Sequence, residues 1–156
     1  MNAERRPDTH SDMVFIPHND YRETYITLVP KMDEGLEHML TRVKDIIEEI
    51  DVEVVKWDMF GHSSLYSETI GILKDQYKGL NWPVNWVEGS KNIKKGVDGI
   101  QVYAVTGVPV QTLHHEDVPI GRQFENTYGA FTFLGPLIPA ETIDSYDKQA
   151  QSVFRM

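Results

Sequence analysis

DEGLEHMLTRVKDIIEEI, residues 33–50, is the stretch whose reading decides the fold. Leu36, Met39, Leu40, Val43, Ile46, Ile47 and Ile50 recur at steps of three and four. Only a helix gathers residues so spaced on one face. Asp33 and Glu34 put negative charge at its start, where the helix dipole favours it. The apolar face is wide enough to cover a sheet, and the flanking sequence supplies one.

Upstream, VFI (14–16) ends at Pro17 and the turn-like HND, and ETYITLVP (23–30) is β-branched and aromatic. They read as two strands joined by a short turn. Downstream, VEVVKWDMF (52–60) reads as a strand ended by Gly61, with Ser63 or Ser64 capping a second helix. SLYSETIGILKDQY (64–77) sets Leu65, Tyr66, Thr69, Ile70, Leu73 and Tyr77 on one side. Gly71 costs that helix about 1 kcal/mol relative to Ala. NWPVNWVEG (81–89) and GIQVYAVTG (99–107) are two more strands, the last stopped by Gly107 and Pro109.

The order is β-β-α-β-α-β-β over residues 13–108. That alternation predicts an α+β two-layer domain, helices on one face of a mixed sheet. Strands linked through helices are expected to be parallel neighbours, and strands linked by tight turns antiparallel. Residues 1–12, MNAERRPDTHSD, read as a flexible leader. Residues 109–120, Pro-rich and charged, read as a linker. Residues 121–156 read as the start of a second similar unit. YGAFTFLGPLIP supplies its strand, and Ile143, Tyr146, Ala150, Val153 and Phe154 fall at helical spacing. YITLVP before the first helix matches FLGPLIP before the last one, a weak internal repeat.

Composition narrows the classes. Hydrophobic residues make up 40% of the 156, enough for a core. The absence of cysteine rules out disulfides, thiolate metal sites and a Cys nucleophile, and fits a cytoplasmic setting. A net charge of −9 repels phosphate backbones, so no nucleic-acid partner is expected. KNIKK reads as a solvated loop. No run of 18 apolar residues predicts a membrane span, and the polar N-terminus does not read as a secretory signal.

Several residues invite chemistry. His114 and His115, followed by Glu116 and Asp117, suggest a metal, yet strand neighbours point to opposite faces and chelate poorly. No metal or other cofactor is expected. His62, Ser63 and Ser64 lack a nucleophile elbow, and helix capping accounts for the serines. Glu48 and Glu49 diverge on a helix, a turn explains Asp98 and Gly99, and Glu23 reads as an edge-strand charge. Asn85 is more informative. Alternation sets it opposite in sense to Trp86, so a groove lined by Asn85, Gln101 and Tyr103 is a reasonable pocket wall, with Trp82 and Trp86 as aromatic sides.

The helix LEHMLTRVKDIIEEI, then VVKWDMF, a helix ending LKDQY, NWPVNWVEG and GIQVYAV resemble, in order and spacing, the reactive-intermediate deaminase (Rid) superfamily, whose fold some chorismate-acting enzymes share. The resemblance implies a trimer, or a pseudo-trimer of tandem units, with helices outside and ligand clefts between subunits. It also implies cofactor-free hydrolysis of small imines or enamines derived from amino acids, releasing ammonia. Deaminating members use an arginine after the second helix to grip the substrate carboxylate. Here Pro-Val-Asn stands where Pro-x-Arg is expected, so the position is Asn85. The amide lacks the charge, a loss of roughly 1.5–3 kcal/mol of charged hydrogen bonding. The family's water-positioning acid falls at Tyr103. Arg122 and Gln123 resemble an Arg-Gln pair of the chorismate-hydrolysing relatives. Carried onto this chain, the pattern makes Arg122 and Tyr103 the catalytic candidates. Asn85, Trp86, Gln101 and Tyr128 become substrate-binding candidates. Two functions are open: a divergent deaminase or hydrolase of an imino or unsaturated acid, and a noncatalytic module that binds such a metabolite.

Overall fold

The computed structural model describes residues 3–88, 97–115 and 118–135. Nine strands and two helices are described: β1 (Glu4–Pro7), β2 (Ser11–Pro17), β3 (Arg22–Leu28), α1 (Leu36–Ile50), β4 (Glu53–Gly61), α2 (Tyr66–Gln76), β5 (Val84–Glu88), β6 (Val97–Thr106), β7 (Val110–His115), β8 (Val118–Asn126) and β9 (Gly129–Leu134). Strands β1 to β6 form one sheet in the order β1-β2-β3-β6-β4-β5. Strands β7, β8 and β9 form a second, antiparallel sheet in chain order.

The helices form where periodicity puts them. α1 buries Met39, Leu40, Val43 and Ile47. It packs with Leu73 of α2 over Ile26, Leu28, Trp57, Met59, Ile100 and Val102 of the large sheet. Fully burying a side chain of this size stabilises by about 1.5–3 kcal/mol. Glu34 precedes α1 and is not within its first turn. It accepts from the guanidinium of Arg42 at 2.8 Å and from the Lys31 amide at 2.8 Å. Arg42 also donates to the carbonyls of His10 and Val29, tying the helix to the sheet. The expected serine cap gives way to His62, whose Nδ1 accepts from the Ser64 amide ahead of a short 3-10 turn, Ser63–Leu65.

β4 and β5 are parallel, as a helical crossover requires. β3 and β4 are not neighbours, contrary to expectation: β6 lies between them, antiparallel to both. β4 carries a bulge. Val54 lies opposite Ala104 and Lys56 opposite Tyr103, leaving Val55 as the extra residue. Val54 therefore faces the helices, while Val55 joins Tyr21, Tyr103, Val105 and Phe124 in a second cluster on the other face.

Strand pairing differs from the expected linker and leader. The stretch 109–120 is not a bare linker, because β7 and the start of β8 lie in it. The small sheet packs against the large one through Phe124 and Phe133. The leader contributes β1, which pairs antiparallel with β2 from Glu4 opposite Phe15 to Pro7 opposite Asp12. The strand foreseen at 128–139 is β9, hairpinned onto β8. The helix foreseen after residue 140 lies outside the described residues. Gly107, at φ 97°, turns the chain from β6 to β7, and a Cβ there would lie 2.8 Å from the Asp20 carbonyl oxygen.

Candidate functional site

The face of the large sheet turned away from the helices carries an unbroken polar row. Cross-strand register sets Asp12 beside Thr27, Thr27 beside Gln101, Gln101 beside Asp58, and Asp58 beside Asn85. One residue from each of five strands contributes. Strict alternation is the cause, since their neighbours Ile26, Leu28, Trp57, Met59, Ile100 and Val102 are taken by the helical side. Asn85 donates from Nδ2 to Asp58 Oδ1 at 2.9 Å, and Lys56 Nζ lies 2.8 Å from Asp58 Oδ2. At the far end of the row Arg5 grips Asp12 and holds its carboxyl below the ordinary range, chiefly through their hydrogen bond.

The next row is aromatic. Tyr25 and Tyr103 are cross-strand partners with ring centroids 4.9 Å apart, and Lys56 follows on β4. Tyr25 and Tyr21 both donate to Glu23, at 2.8 and 3.0 Å. His18 stacks on Tyr21 at 4.2 Å, with its Nε2 3.0 Å from Glu23 Oε1. Burial, then the Glu23 hydrogen bond, pushes Tyr21 and Tyr25 up to about 12. Burial pushes Tyr103 up as well, with Glu23's charge adding to it. Phenols so placed stay protonated at neutral pH and act as donors.

The six residues singled out from the sequence do not all meet here. Asn85 and Gln101 share the polar row. Tyr103 adjoins it but is only 7% exposed, with Phe133 of the small sheet 5.1 Å away ring to ring. Trp86 turns to the helical side, as alternation with Asn85 demands; its indole donates to the Gly61 carbonyl at 3.1 Å and meets Tyr66 edge-on. Trp82 also packs on that side, against Trp57 and Tyr77. Tyr128 lies exposed in the β8–β9 turn. Arg122 is buried where β4 begins. It donates to the Val54 carbonyl and lies 3.3 Å from Glu53, away from the polar row.

Lys56, Asp58 and Thr27 belong to the site without having been singled out. The signal was present: Lys56 and Asp58 alternate with Trp57 and Met59, the same period that marked Gln101 and Tyr103. Chemically, the row offers amide and hydroxyl hydrogen bonds and two carboxylates, Asp12 paired with Arg5 and Asp58 paired with Lys56 of the next row. Among the described residues no three His, Asp or Glu side chains come together as a metal site. No helix among them is long and apolar enough to cross a membrane.

No protein-family model and no curated protein matches the sequence. A solved structure does, described as "a putative translation initiation inhibitor from Salmonella typhimurium", with a TM-score of 0.51 and 18% identity. The match covers 67% of this chain and 97% of that one, so about a third of this chain lies outside the shared part. At that identity the likeness speaks for the fold. The chain has an α+β fold shared over that part with the solved structure, in keeping with the resemblance drawn from the sequence.

Proposed function

We propose that the chain is a Rid-like module that binds a small imino, enamine or related unsaturated acid on the polar row, without the family's deaminating chemistry. The observation that carries this reading is the Asn85–Asp58–Lys56 triad beside Gln101. The amide that replaces the arginine is already bonded to a carboxylate. Lys56, on the adjoining row, supplies one charged contact to a ligand carboxylate, while Gln101 and Thr27 supply neutral ones. Assembly as a trimer, with this face lining the clefts, belongs to the same proposal and rests on the resemblance.

A hydrolytic reading has one observation in its favour. Asp58 sits one strand from Tyr103, so a carboxylate is near the place where the family keeps its water-positioning acid. One experiment separates the two. The stable keto-acid 2-oxobutanoate is titrated calorimetrically into the chain, and ammonia release is followed from freshly generated 2-iminobutanoate. Saturable binding, weakened about tenfold in Lys56→Ala, with no release above buffer, supports the module. Release that disappears in Asp58→Asn supports the hydrolase. Neither binding nor release would end both.

A further inference from the structure

A second concave site lies on the helical side, where α1 and α2 end and β4 begins. It is a cleft of about 420 Å³, separate from the polar row. Ile47, Val52, Tyr77 and Trp82 give it apolar walls, and Lys44, Lys78 and Arg122 bring three cations to it. A volume of that order suits a small organic molecule.

The charges in the cleft are unequally matched. Lys44 pairs with Glu48 one turn along α1. Lys78 makes no ion pair among the described residues. Arg122 is the informative one. It is 5% exposed, one guanidinium nitrogen is committed to the Val54 carbonyl, and Nε has no partner among the described residues. Its carboxylate partner, Glu53, stands 3.3 Å away on a side chain that is 61% exposed. A buried cation needs a close, desolvated anion. Glu53 satisfies that need loosely, and it also lines the cleft. Its carboxylate occupies the place that a ligand's carboxylate would take, and its exposure leaves it free to swing aside.

We infer that this cleft is a ligand site for a small carboxylate with an aromatic or aliphatic body. The acid end is held by Arg122 and Lys78, and the body lies against Tyr77 and Trp82. Glu53 acts there as an internal competitor. The site shares no residue with the polar row, so it stands whether or not the proposed function does.

Phenylacetate is a suitable probe and phenylacetamide its neutral control, both titrated into the full chain by calorimetry, with the Trp82 indole N–H resonance followed by NMR. Phenylacetate is expected to saturate and to shift that resonance, with the amide about tenfold weaker. Lys78→Ala should weaken the acid about threefold, and Glu53→Gln should tighten it by a similar factor, as for a half-exposed pair. Both substitutions are at the surface, so the test does not depend on Arg122 variants folding. The inference is overturned by no saturation to about 20 mM, by equal binding of acid and amide, or by acid binding that ignores both variants. Binding lost in Lys56→Ala but kept in Lys78→Ala would place the acid on the sheet face instead, and would also overturn it.

Discussion

Phe124→Ala tests whether the small sheet is part of one cooperative fold or an appendage. Phe124 is 2% exposed. Its ring lies 5.2 Å from Phe131, 6.3 Å from Phe133 and 6.0 Å from Tyr21, the last just ahead of β3 of the large sheet. Truncation removes the transfer energy of the ring and leaves a cavity between the sheets, together about 3–5 kcal/mol. For a domain of this size each kcal/mol lowers Tm by about 2–4 °C, so a fall of roughly 6–20 °C is expected in a single transition. Far-UV and near-UV circular dichroism should report the same midpoint, because Trp57 in the main core would lose its surroundings together with the strands. Phe131→Ala is the control: at 38% exposed, it should cost about 1 kcal/mol. A Phe124→Ala fall below about 3 °C, or two transitions of which only a minor one moves, would refute the reasoning. Residues 109–135 would then hang on the large sheet without supporting it.

Two further outcomes follow from the electrostatics. Arg42's hydrogen bond holds the Glu34 carboxyl below its ordinary value of 4.5, so that interaction stabilises fully above this pH and is lost as pH falls through the depressed native value. Glu34→Gln should therefore cost roughly 1.5–3 kcal/mol near neutral pH. Its deficit should shrink in urea titrations run below the carboxyl's ordinary range; a deficit constant with pH would contradict the assignment. Tyr103→Phe should leave 2-oxobutanoate binding and any ammonia release within about twofold of the parent, because a buried, protonated phenol is no base. A loss of about a hundredfold, the usual mark of a general acid or base, would instead place Tyr103 in the catalytic set.

What could be read in the sequence was local. The helical spacing from Leu36 to Ile50 and the alternation through Trp57, Met59, Ile100 and Val102 lie within single segments, and both appear in the fold as expected. What could not be read depends on partners distant in the chain. β1 is Glu-Arg-Arg-Pro, exposed throughout, and only its pairing with β2 makes it a strand. β7 and β8 contain Pro119, adjacent histidines and charges, the composition of a loop. No local pattern announces that β6 separates β3 from β4. The candidate site divides in the same way. Alternation put Asn85 and Gln101 on one face and Trp86 on the other, but nothing near Arg122 in the sequence says that its guanidinium ends at the Val54 carbonyl.

The bulge at Val55 has a consequence for descent. One surplus residue in β4 supplies both the apolar plug beneath Phe124 and the disturbed stretch of ladder whose Val54 carbonyl receives Arg122. A chain of this type without the three-stranded annex would have no occupant for either socket. The insertion and the annex should accordingly be gained or lost as a single heritable unit.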